Sequence, residues 1–169
     1  MKELKFRKLN ANEIECRIGT LNEKGLSLLL YKDARCDMNL LDEVVGPLNW
    51  KREHTRDNQN CVVSIWDDEK KEWVSKEDTG TASNTEAEKG LASDSFKRAC
   101  FNWGIGRELY SAPFIWIPAD KCSLAGKKCY DKFSVAKLTY DEAGNIENLA
   151  IKNQKGEVVF VKMANKKGA

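Results

Sequence analysis

The sequence predicts an α+β fold: an antiparallel β-meander packed with helices, followed by a small C-terminal antiparallel β-meander. Three observations carry this. Residues 49–80 hold three runs of strand character separated by polar turns. Two stretches, one near 33–45 and one near 87–103, repeat apolar residues at helical spacing. Past residue 130 the pattern returns to alternation, in three short runs. The expected organisation is a first domain over 1–118 and a β subdomain with its tail over 119–169.

The elements follow in order. Residues 13–18, EIECRI, alternate weakly, as a short strand or the end of a helix would. Leu40, Leu41, Val44 and Val45 recur at helical spacing and Gly46-Pro47 stops the run, so a helix is predicted over 33–45. NWKREHT, CVVSIWDD and EWVSKEDTGTAS read as three strands, with the polar DDEKKE as the hairpin turn between the last two. Asn84 or Thr85 is the predicted cap of the next helix, with Glu88 completing a capping box after Thr85. Ala87, Leu91, Phe96, Ala99, Cys100 and Trp103 trace its apolar face, and Gly104 and Gly106 end it. RELYSAPFIWI, residues 107–117, is a short apolar packing segment, with Pro113 and Pro118 bracketing its core. DEAGN and NQKG then mark the turns of the last meander, and NKKGA reads as a frayed tail.

Bulk composition narrows the function. Hydrophobic residues make up 41% and charged residues 32%, a balance that suits a soluble domain with a modest core. Net charge is only +2, so an anion-binding surface must come from local clusters of Lys and Arg. No apolar run approaches the roughly 18 residues that span a bilayer. MKELKFRKLN lacks the apolar stretch of a signal peptide. A cytoplasmic protein without a membrane partner is therefore expected, with its six cysteines mostly reduced. Cys122 and Cys129 are the closest pair; they read as loop thiols ahead of a metal or disulfide site.

Much chemistry is missing from the sequence. No loop matches the G-x-x-x-x-G-K-S/T pattern that cradles nucleotide phosphates. The single histidine, His54, excludes two-histidine metal motifs and has no nucleophile motif beside it. Asp67-Asp68 and Glu77-Asp78 offer acids for a metal-dependent nuclease, but turn formation and solubility account for the first pair without it. The expectation is a binding protein that is not an enzyme and needs no cofactor.

Basic residues cluster at Lys51-Arg52, Lys70-Lys71, Lys97-Arg98 and Lys127-Lys128, and the first three lie near Trp50, Trp66, Trp73, Phe101 and Trp103. Cations interleaved with aromatics can follow a phosphate backbone and stack bases. A solvated rim around core aromatics produces the same pattern. Lys97 and Arg98 stand out because adjacent helix positions lie about 100° apart, so both can flank one apolar face.

The ordered set now in hand resembles the annealing domain of the Rad-fifty-two family, including the short phage single-strand annealing proteins. In that family a strand ends in an acid, Asp, a small residue and Gly. A helix with a Lys-Arg-Ala pattern and a Gly-containing turn follows. Glu77, Asp78, Gly80, Asp94, Lys97, Arg98, Ala99, Gly104 and Gly106 occupy those places, and Asn39, Leu40, Glu43, Gly46 and Trp50 match the first helix and the Trp after its turn. The resemblance covers roughly residues 25–112 and leaves the last meander outside.

The resemblance implies ATP-independent binding of single-stranded DNA and annealing of complementary strands in recombination and repair. It implies a homo-oligomeric ring or helical arc, in a bacterial or phage-infected cell, with a single-strand-binding protein as a candidate loading partner. Lys97 and Arg98 match the family's inner-groove cations. Arg35 falls within one position of another, and Lys70 and Lys71 are candidates for an outer DNA site. Lys51 and Arg52 join them as expected DNA contacts. Many relatives carry a further Arg one turn after the Lys-Arg pair; Phe101 stands there, so that either stacking replaces the charge or the groove is less basic. The alternative is a DNA-binding or protein-interaction module that kept the fold without annealing.

Overall fold

GLSLLLYK, residues 25–32, is a strand that precedes the first helix. The computed structural model describes residues 3–81 and 87–164. A 3-10 turn over Ala11–Glu13 leads into β1 (Ile14–Asn22), which returns as β2 (Gly25–Lys32). The weakly alternating EIECRI thus belongs to a strand longer than its pattern suggested. Then come α1 (Ala34–Val45), the strands β3 (Trp50–Thr55), β4 (Asn60–Asp67) and β5 (Glu72–Thr79), and α2 (Ala87–Asn102). The segment 107–117 splits into a 3-10 turn over Arg107–Ser111 and the strand β6 (Ile115–Pro118). The two-residue strands β7 (Leu124–Ala125) and β8 (Lys128–Cys129) precede β9 (Phe133–Tyr140), β10 (Ile146–Asn153) and β11 (Val158–Lys162). Helices against antiparallel sheets make this an α+β fold, as expected. The capping box on Asn84, Thr85 and Glu88 lies outside the described residues and side chains.

The chain divides into two compact units that are discontinuous in sequence, not at a single cut after 118. One gathers Lys32–Arg107 with the residues up to Lys8; the other gathers Leu9–Tyr31 with the residues from Glu108 onward. The reason is strand pairing. The late meander β9-β10-β11 continues into the early hairpin through β1, giving a six-stranded sheet in the order β11-β10-β9-β1-β2-β6. Glu15 pairs with Ser134, and Leu26 with Ile117. β11 also touches β6, so the sheet curls until its two edges meet. Its core is Leu26, Leu28, Ile115, Ile117, Ile146, Leu149 and Ile151, none more than 3% exposed. Glu108 is buried as well and takes a 2.6 Å hydrogen bond from the Leu9 amide, while the Tyr140 hydroxyl donates to the Leu9 carbonyl at 2.7 Å.

The first unit carries the expected meander. β4 is central, pairing Trp50 to Ile65 on one side and Ile65 to Val74 on the other. Period-two alternation turns Cys61, Val63 and Ile65 to one face, where all three are buried, and α2 packs on that face. Phe96, Ala99 and Cys100, all 0% exposed, are the helix's answer. Burying Phe96 alone contributes about 2–3 kcal/mol. Asp33 caps α1 by accepting from the Arg35 amide at 2.5 Å. α2 ends in a Schellman motif: the Ile105 amide donates to Cys100 O at 3.2 Å and the Gly104 amide to Phe101 O at 3.0 Å, with Gly104 at φ +95°.

Candidate nucleic-acid interface

Most of the residues that carried the resemblance have a scaffold role. The strand end at Gly80 passes so close to α2 that a Cβ there would sit 2.6 Å from the Ser95 amide nitrogen. Asp94 reaches back from the helix and accepts from the Thr81 amide at 2.8 Å. Glu77 accepts from Asn60 Nδ2 at 2.7 Å, and Asp78 from the Thr79 amide at 2.7 Å. Trp50 donates from Nε1 to Asp42 at 2.7 Å and stacks on Phe96 with centroids 6.1 Å apart. These contacts fix how the meander, α1 and α2 meet.

Lys97 and Arg98 are what this frame displays. With Phe96 and Cys100 turned inward, the helical period turns both to the margins of the solvent arc, and both are half-buried. Lys97 leans toward the start of α1. Asp33, whose carboxyl lies below its usual range mainly through the hydrogen bond from Arg35, also feels the Lys97 charge. Arg98 leans the other way, with Nε 3.8 Å from Asp78 Oδ1, an ion-pair separation and no hydrogen bond. Arg35 is 81% exposed and pairs with the same Asp33 at 2.7 Å. Arg52 lies on the α2 side of β3 with its guanidinium 4.6 Å over the Phe96 ring. Arg35, Lys97, Arg98 and Arg52 are therefore gathered around α2.

Three other expected contacts are not. Lys51 is on the opposite face of the meander from Arg52, 3.4 Å from Glu53 and 5.1 Å from the centre of the Trp73 ring. Lys70 and Lys71 sit at the β4–β5 turn, the far end of β5 from Asp78, about 20 Å away at the rise of a strand. There they meet acids: Lys71 is 2.7 Å from Asp68 and Lys70 3.7 Å from Asp67, with Glu69 and Glu72 beside them. The turn holds four acids to two lysines and is not a basic patch.

Phe101 is half-buried and has a cation partner within the chain. Its ring covers the ammonium of Lys32, the last residue of β2, 4.2 Å from the ring centre. Lys32 is 1% exposed; it pairs with Asp37, 0% exposed, and donates to the Lys97 carbonyl at 3.3 Å. Gly106, at φ +74°, lies against its stem, where a Cβ would stand 2.6 Å from Lys32 Cε. Burial pushes the Asp37 carboxyl up to about 6 against the pull of Lys32, and its second oxygen accepts no hydrogen bond.

Sequence reasoning missed this buried pair, and it missed two further cations. Lys76 donates to Asn102 O at 2.9 Å, and Arg107 donates to Phe101 O at 2.6 Å and Asn102 O at 2.8 Å. Both neutralise the carbonyl end of α2. The only signal for them was position: a cation on the α2 side of β5, and another just past the Gly-x-Gly turn. His54 Nδ1 lies 3.4 Å from the buried Ser95 hydroxyl, which is also 2.9 Å from the Asn58 carbonyl oxygen. Among the described residues no cluster of three or more His, Cys, Asp or Glu could hold a metal ion, and no helix is long and apolar enough to cross a membrane. Comparison with protein-family models, curated proteins and solved structures finds no match.

Proposed function

We propose that this chain binds single-stranded DNA without ATP and anneals complementary strands in recombination and repair. It would act as a homo-oligomer in the cytoplasm of a bacterial or phage-infected cell. The observation that supports the reading is the division of labour in the ordered residue set. Its glycines and acids hold the meander against α2, while its adjacent cations, Lys97 and Arg98, lie at the edge of the helix's solvent arc beside Arg35 and Arg52. Cations on a rigid helix neutralise a phosphate backbone and leave base edges free to pair. Repetition around an oligomer would turn weak single sites into tight binding, which suits a chain whose net charge is only +2.

The test is the double variant Lys97→Ala/Arg98→Ala, followed by fluorescence anisotropy with a labelled single-stranded oligonucleotide over a salt series. Roughly tenfold or greater loss of affinity is expected, with a shallower salt slope. Wild-type binding and slope in a folded variant would refute it. A second reading, a protein-interaction module without annealing, draws on the acids Asp33 and Asp78 beside these cations. Size-exclusion chromatography separates the two: annealing predicts a large oligomer, the module a monomer.

A further inference from the structure

One carbonyl oxygen at the end of α2 brings two exposed cations together. Lys76 Nζ lies 2.9 Å from the Asn102 carbonyl oxygen, and Arg107 Nη2 lies 2.8 Å from the same atom. The two charges are therefore near neighbours. The carbonyl end of a helix carries roughly half a negative charge, which two full cations exceed. Among the described residues, neither cation stands within ion-pair distance of a carboxylate. Both are held in place. Arg107 spends its Nε–Nη2 edge on Phe101 O and Asn102 O, which leaves Nη1 and the outer edge of the guanidinium for a ligand. Lys76 lies 4.8 Å over the Trp103 ring, and that ring is pinned by its Nε1 donating to Val63 O at 3.0 Å. The ammonium spends one donor on Asn102 and keeps the others. The result is a fixed corner with surplus positive charge.

We propose that Lys76 and Arg107 clamp one backbone phosphate of the bound strand at the C-terminal end of α2, an assignment that rests on the single-strand reading above. Their place on the helix supports it. Asn102 follows Arg98 by one turn, so the two share a stripe. Asp78 joins them, 3.8 Å from Arg98 Nε and 3.4 Å from Asn102 Nδ2. The rise from Arg98 to Asn102 is about 6 Å along the helix axis, on the order of two phosphate steps of a stacked strand. The clamp thus extends the cations at Lys97 and Arg98 along the margin of α2 that faces β5. A guanidinium edge beside an ammonium suits two oxygens of one phosphate. Contacts of this kind fix the path of the strand and leave its base edges free to pair.

The test uses the full chain and the double variant Lys76→Gln/Arg107→Gln, whose amides still donate to the helix carbonyls. Binding of a labelled single-stranded oligonucleotide is followed by anisotropy over a chloride series. A loss of roughly fivefold is expected, with the slope of log affinity against log salt shallower by about 0.7, the change for one phosphate contact on a single strand. Lys76→Gln alone, which keeps Arg107 on α2, should lose about twofold and guards against a double variant that does not fold. Wild-type affinity and slope in the folded variants, while Lys97→Ala/Arg98→Ala loses binding, would overturn the clamp and leave the DNA reading standing. A wild type that binds no single strand would overturn both. Lost affinity with an unchanged slope would reduce the pair to a structural role and overturn the proposal. Replacing chloride by inorganic phosphate at equal ionic strength should displace no more DNA from wild type than from the variant; selective displacement from wild type would assign the corner to the free anion instead.

Discussion

Lys32→Met is the most informative single change to the scaffold. It keeps an unbranched stem against Gly106 and Phe101 but removes the ammonium paired with Asp37. In the wild type, burial lifts the Asp37 carboxyl from 3.8 to about 6 while Lys32 pulls it down. Because the folded state holds that proton more tightly than the unfolded state, stability is fully present below the unfolded value. It then falls as pH rises, by about 3 kcal/mol over the two-unit window, and levels off above pH 6. Without Lys32 the folded carboxyl rises further, so stability keeps falling above pH 6 by up to about 1.4 kcal/mol per pH unit. The gap between variant and wild type should therefore be under about 1 kcal/mol at pH 5, where Asp37 is protonated, and reach about 3 kcal/mol at pH 8. Urea unfolding followed by tryptophan fluorescence measures it well, because Trp50, Trp66, Trp73 and Trp103 all lie in this unit and only Trp116 lies outside it. A gap that stays constant from pH 5 to pH 8 would refute the reasoning. Replacing both partners, as Lys32→Met with Asp37→Leu, should remove the pH-dependent part.

Two further outcomes are expected. Gly80→Ala drives a Cβ into the backbone of α2 at Ser95 and should lower stability by about 1–3 kcal/mol, visible as a lower Tm by circular dichroism; an unchanged Tm would mean the strand end and helix separate freely. Lys70→Ala/Lys71→Ala should leave single-strand affinity within about twofold of wild type, since each lysine already faces an acid and the turn is far from α2; a loss matching that of the Lys97 and Arg98 double variant would restore an outer site there.

The legible parts of the molecule were those encoded locally. The meander of 49–80 was readable because its apolar alternation and its polar turn are properties of neighbouring residues. The turn of Gly104-x-Gly106 was readable because positive φ favours glycine. The candidate site was half legible. Adjacency on a helix placed Lys97 and Arg98 correctly at the margins of its apolar face. The same adjacency on β3 separates Lys51 from Arg52, since a strand turns neighbours to opposite faces.

The sequence by itself determined the class of fold, the first helix, the central meander and the late one, because each rests on a short-range period that side-chain polarity records directly. Only the tertiary structure decided which strands share a sheet. Pairing β1 with β9 brings together residues more than a hundred positions apart, and no local pattern names the partner. It also decided what lies against the Phe101 ring: β2 delivers Lys32 there, because burial of an ammonium demands a carboxylate and an aromatic face, and the three groups come from three separate elements.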